Sequence, residues 1–154
     1  MLPNLSYVIN GVLFEVHREL GSIHLEKHYQ RGVALELRKS GLSFHEQVPV
    51  DIGTSAGRVG KYFLDFVVEN LVILELKTVR VVERNHFGQL LAYLHQLNLP
   101  LGLLVNFRVT SLNPIRVVNS RFLRVDLSDI DAGYFSLIRA NSKFSSNKFA
   151  TQFE

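Results

Sequence analysis

The sequence contains no cysteine. That excludes structural disulfides, thiolate-bound zinc, iron–sulfur clusters and a cysteine nucleophile, and a reducing, cytoplasmic setting is the easiest to reconcile with it. No stretch approaches about 18 consecutive apolar residues, so no segment is expected to span a membrane. A basic start with an uninterrupted apolar core is missing too: Asn4, Asn10 and Glu15 break up the N-terminal apolar residues, which argues against a secretory leader. Nor is there a strong charge bias. A formal charge of +3 and a pI near 9.3 permit a polyanionic partner without requiring one. What the chain does have is 154 residues, 47% of them hydrophobic, enough for one domain with a proper core.

Leu5, Val8, Ile9, Val12, Leu13, Val16 and Leu20 recur at helical spacing, with Asn4 as candidate N-cap and Gly21 as breaker. A second helix is expected from Leu25 to Ser40, its stripe carried by Leu25, Tyr29, Val33 and Leu37 and its end marked by Gly41. Strand patterns follow over Ser43 to Ile52, Tyr62 to Val68 and Leu71 to Thr78, with Gly53 to Gly60 read as a flexible turn. Phe87, Leu90, Leu91, Leu94 and Leu97 define a third helix ending before Pro100. Leu101 to Phe107 reads as a buried strand and Ile115 to Val118 as a short last one. The order ααβββαβ(β) implies an α/β domain, a small mixed central β-sheet flanked by helices. Residues 1–119 are assigned to this domain and 120–154 to a peripheral or partly disordered extension, with a short helix around Tyr134 to Arg139. The phenylalanines of the extension are candidates to dock on the domain or on a second copy, as in a homodimer.

The chemistry concentrates in one hairpin. Asp65 lies inside Tyr62–Val68, and Glu75 and Lys77 close the apolar run Leu71–Leu74. Charged side chains are seldom buried unless paired or bound to something, and residues i and i+2 of a strand share a face. Two acids and a lysine in such a setting suit a divalent metal and an activated water. The competing reading is a solvated sheet edge with a Glu75–Lys77 ion pair. Hairpin register separates the two. A two-residue turn at Glu69-Asn70 pairs Asp65 with Leu74 and throws the carboxylates to opposite faces. A three-residue connection, Glu69-Asn70-Leu71, pairs Asp65 with Glu75. The odd-length connection, or an equivalent bulge, is therefore expected, with Asn70 or its neighbour at positive φ.

Several further segments accompany this hairpin in order: Glu19-Leu20-Gly21, Glu26 with Tyr29, Leu35-Glu36-Leu37-Arg38 to Gly41-Leu42, and Gln47-Val48-Pro49-Val50. Gly60, Gln89 with Tyr93-Leu94, and Gly102 to Phe107 continue the series. Together they resemble the GxxExxY protein family, a branch of the PD-(D/E)XK nuclease-like superfamily, from about Leu5 to Val118. Ile23 stands where the family's name-giving glycine falls, and Arg108 follows Asn106-Phe107 where a glycine is usual.

The resemblance implies a restriction-endonuclease-like core and a metal-dependent nuclease acting on nucleic acid, DNA ahead of RNA. Asp65, Glu75 and, from the second helix, Glu26 would hold Mg²⁺ (or Mn²⁺). Lys77 would orient or deprotonate the attacking water, and Gln89 with Tyr93, one helical turn apart, would lie beside the site. The alternative is a non-catalytic module on the same fold that binds nucleic acid or protein. Arg58, Lys61, Arg80 and Arg84 flank the site and are candidates for phosphate contacts or for a merely solvated rim. His24 and His28 share a helix face, but no third ligand at a recognisable spacing supports a transition-metal site.

Overall fold

A computed structural model describes residues 5–122. Two helices, α1 (Leu5–Leu20) and α2 (Glu26–Lys39), lead into strands β1 (Phe44–Thr54), β2 (Gly57–Val68) and β3 (Val72–Lys77). Helix α3 (Arg84–Leu97), β4 (Leu101–Asn106), β5 (Ile115–Val118) and a 3₁₀ turn (Ser120–Phe122) complete it. The result is the expected mixed α/β fold with the last strand present. The candidate cap Asn4, the helix near Tyr134 and the extension beyond residue 122, proposed to mediate a homodimer, lie outside the described residues.

The helical stripes bury Leu5, Ile9, Val12, Leu13 and Val16 from α1, and Tyr29, Val33, Ala34 and Leu37 from α2, whereas Leu25, expected to head the second stripe, precedes α2 as its N-cap and is 60% exposed. Gly41, at φ 80°, ends α2. The end of α3 is set by Asn98 rather than by Pro100. Asn98 is left-handed at φ 55°, and the Leu99 amide then donates to the Leu94 carbonyl at 3.0 Å.

The five strands lie in the order β1-β2-β3-β4-β5. β3 and β4 are parallel, joined by the α3 crossover, and the other neighbours are antiparallel. The two parallel strands are central and covered on both faces, which is why each reads as an almost continuous apolar run. Gly102 of β4 allows α3 to lie close, since a Cβ there would sit 2.8 Å from Leu90. Gly102→Ala is therefore expected to destabilise the fold by about 1–3 kcal/mol through overpacking, read as a lower denaturation midpoint at unchanged slope.

The β2–β3 connection has the expected odd length. Val68 pairs with Val72, leaving Glu69, Asn70 and Leu71 between, and Glu69 and Asn70 take φ 55° and 56°. Glu69 is buried, but its carboxylate is satisfied by the Ser43 amide and hydroxyl, both at 3.0 Å.

One expectation is corrected. Gly53 to Gly60 is not a flexible turn: Gly53 pairs with Arg58 and Thr54 with Gly57, leaving only Ser55-Ala56 to reverse the chain. The glycines are there because the ladder shifts register between Ile52 and Gly53 and because Gly57 takes φ 149°. The two strands thus form a long arm, its outer part exposed on both sides.

Candidate active site at a strand fork

The β2–β3 ladder stops at the pair Phe66–Leu74, although β2 extends back to Gly57 and β3 on to Lys77. Beyond that pair β2 stays with β1 and leaves β3, opening a fork in the sheet. The turning point is Gln47, at φ 49° in β1 and facing Asp65 between the pairs Glu46–Phe66 and Val48–Leu64. On one side of it the hairpin faces α2: Phe44 meets Phe66 edge-on at 5.8 Å and Arg38 lies over Phe44. On the other side it faces α3, with Tyr62 stacked on Tyr93 at 4.8 Å and 16°. The sheet therefore twists sharply at the level of Asp65.

The two carboxylates fill the mouth of this fork and take hydrogen bonds that the missing ladder would have made. The Asp65 amide donates to Glu75 Oε1 at 2.9 Å, and the Leu76 amide donates to Asp65 Oδ2 at 2.7 Å. The Tyr62 hydroxyl donates to Glu75 Oε2 at 2.9 Å. Gln30, one turn after Glu26 on α2, donates to the Asp65 carbonyl at 3.2 Å. Asp65 and Glu75 are thus brought together as register demanded.

Burial dominates their electrostatics. It pushes the Glu75 carboxyl up to about 8, helped by the neighbouring Asp65 charge. Asp65 is pushed up to about 6, again chiefly by burial, against the opposing Leu76 amide. Burial also raises the more exposed Glu26, whose charge is felt at Asp65. The Lys77 ammonium opposes the rise at all three acids, so it stands among them. Burial and the Glu75 charge hold the Tyr62 phenol far above its usual range, so it remains a donor.

The solvated-edge alternative fails here. β3 is interior, Glu75 is only 4% exposed, and among the described residues no Glu75–Lys77 ion pair forms. Tyr93 reaches the site through Tyr62, while exposed Gln89 donates to the Tyr93 hydroxyl at 3.4 Å. Tyr29 plays a different part. Buried and stacked on Phe107 at 4.4 Å, it donates to the Gly21 carbonyl at 2.5 Å and so pins the α1–α2 turn. The rings of His24 and His28 meet edge-on at 5.7 Å. Among the described residues, no three His, Cys, Asp or Glu side chains cluster closely enough to cage a metal. The two carboxylates held in the fork by hydrogen bonds are Asp65 and Glu75. Such a set fits Mg²⁺, which keeps several waters and commonly takes one or two carboxylates plus substrate phosphate.

Two contributors are not evident from the sequence. Tyr62 looks like one more apolar strand residue there, and Gln30 like an exposed helical one. Only the fork shows what they touch.

Among known families, the model of the PD-(D/E)XK nuclease superfamily matches residues 3–118. No curated protein and no solved structure matches the chain. No helix among the described residues is long and apolar enough to cross a membrane.

Proposed function

This chain belongs to the PD-(D/E)XK nuclease superfamily, and on that premise we propose that it hydrolyses phosphodiester bonds with a divalent ion, Mg²⁺ or Mn²⁺, held by Asp65 and Glu75. Nucleic acid is the substrate implied by the superfamily, and DNA is the first to be tried. Within the superfamily we place the chain in the GxxExxY branch, on the resemblance carried by Glu26, Tyr29 and the segments around them. The observation that carries the reading is the pair of buried carboxylates in the strand fork with Lys77 beside them.

The two acids disfavour each other's ionisation and have no compensating ion pair among the described residues, an arrangement that invites a hard cation. When bound, the ion supplies polarisation of the phosphate and a more acidic water. Glu26 reaches the same charge from α2, directly or through water. The Lys77 ammonium orients the attacking water and offsets charge gathering on the phosphate oxygens. Tyr62 fixes Glu75, and Tyr93 with Gln89 backs Tyr62 from α3.

Tyr62→Phe keeps the ring stack but removes the donor from Glu75 Oε2. It should cost roughly 10–100-fold in metal affinity or rate, the usual loss when a ligand's hydrogen-bonding partner is removed; calorimetric metal titration checks this. The reading as a whole is tested by titrating Mg²⁺ and Mn²⁺ against mixed single- and double-stranded DNA and RNA. Cleavage with either ion and none in EDTA is expected. Equal binding with and without metal, and cleavage of nothing, would mean a non-catalytic module.

A further inference from the structure

Phe63 is 50% exposed, while Leu64 and Phe66 beside it are fully buried. Strand alternation puts Phe63 and Lys61 on the same side of β2 as Asp65, two and four residues away. At about 3.4 Å per residue the three stand roughly 7 Å apart in a row. Cross-strand pairing adds Pro49 opposite Phe63 and Asp51 opposite Lys61. Tyr62, of the other alternation, stacks on Tyr93 of α3. Lys61 and Arg58 also line a cleft of about 380 Å³ against Gln96 of α3. Asp51 lies there too and holds Arg58 at 3.5 Å, whereas Lys61 has no ion pair among the described residues.

We propose that this outer face seats an unpaired nucleic-acid strand, one base stacking on Phe63 and a neighbouring phosphate meeting Lys61, in line with the Asp65–Glu75 pair. The inference rests on the nuclease reading of that pair for why a strand is brought there. Three features select the occupant. The exposed ring offers a stacking surface, which every base can use and which a base inside a duplex cannot reach. The uncommitted ammonium complements a phosphate. Strand alternation carries the row toward Asp65. A base on Phe63 therefore places the adjoining backbone near Asp65, and single-stranded or frayed substrates are favoured over intact duplex.

The test uses the full chain in EDTA, so binding is read apart from cleavage, with labelled single-stranded and duplex oligonucleotides followed by anisotropy. Phe63→Ala should weaken single-strand binding about tenfold or more, as loss of one stacked base does, and leave duplex binding unchanged. Phe63→Trp, which keeps a stacking face, should retain it. Lys61→Ala should weaken binding and lower the salt slope by about 0.7, the value for one phosphate contact on a single strand. Unchanged single-strand affinity in Phe63→Ala overturns the proposal, and this is also what a protein-docking patch would give. Equal losses on single strand and duplex overturn it as well, as does a wild type that binds no oligonucleotide. Phe63-dependent binding without cleavage in Mg²⁺ or Mn²⁺ would support the seat and sink the nuclease reading.

Discussion

Asp65→Asn, Glu75→Gln and Lys77→Ala each lower phosphodiester hydrolysis on the order of 10²–10³-fold, the loss typical when one charge-stabilising group is removed. They do so in two distinguishable ways. The carboxylate variants lose metal affinity and rate together, because a neutral amide is a poorer partner for a hard cation. Lys77→Ala loses rate while still binding metal. The fold should survive in all three. The side-chain amide of Asp65→Asn keeps an oxygen for the Leu76 N–H, and that of Glu75→Gln keeps one for the N–H of residue 65, the contacts that bridge the fork. Lys77 makes no ion pair among the described residues, so its truncation breaks no direct contact, although the three acids lose a nearby positive charge. Paired metal titrations and rate measurements check the division. A Lys77→Ala protein that has lost metal binding would refute it.

The metal-free protein should lose stability as pH rises from about 4 to about 8, and divalent metal should restore it most at the upper end. The sign follows from the buried carboxyls. Free Asp and Glu titrate near about 4, whereas burial raises Asp65 to about 6 and Glu75 to about 8. Between those limits the folded state holds protons that the unfolded state has released, so each step up in pH favours unfolding. Above the folded values the penalty is complete. A bound cation reverses it. At a metal concentration a hundredfold above Kd the stabilisation is about 2.7 kcal/mol, or roughly 5–10 °C in Tm for a chain of this size. Glu75→Gln should melt higher than wild type in EDTA at pH 8 and gain less from metal, since one of the two buried charges is gone and Asp65 alone remains to meet the cation. A melting temperature indifferent to Mg²⁺ and Mn²⁺ across this range would argue against a working site.

The path from residues to site was readable where a local pattern had one physical solution. Apolar spacing located the helices, the continuous apolar runs located β3 and β4, and hairpin arithmetic reduced the question of whether Asp65 and Glu75 share a face to a choice between two turn lengths, which the Val68–Val72 pair resolves. The site's surroundings depend on something no pattern carries, the parting of β2 from β3. Nothing in Gln47 announces a left-handed backbone, and Tyr62 keeps the alternation of an ordinary strand until the twist delivers its hydroxyl to Glu75. Gly53 to Gly60 misled for the opposite reason. Glycines that loosen an isolated chain here serve a register shift and a tight reversal in a paired arm.

The irregularities of β1 also bear on how this protein keeps to itself. β1 borders the sheet, and at eleven residues a flat border strand would offer its free peptide groups to any passing chain. It is not flat. Gln47 breaks the extended backbone, Pro49 has no N–H to give, and the shift at Ile52/Gly53 puts the peptides out of step a third time. No uninterrupted run long enough to template a foreign strand remains between Phe44 and Thr54. The backbone kink that opens the fork for Asp65 is thus also one of three interruptions guarding the sheet against edge-to-edge aggregation.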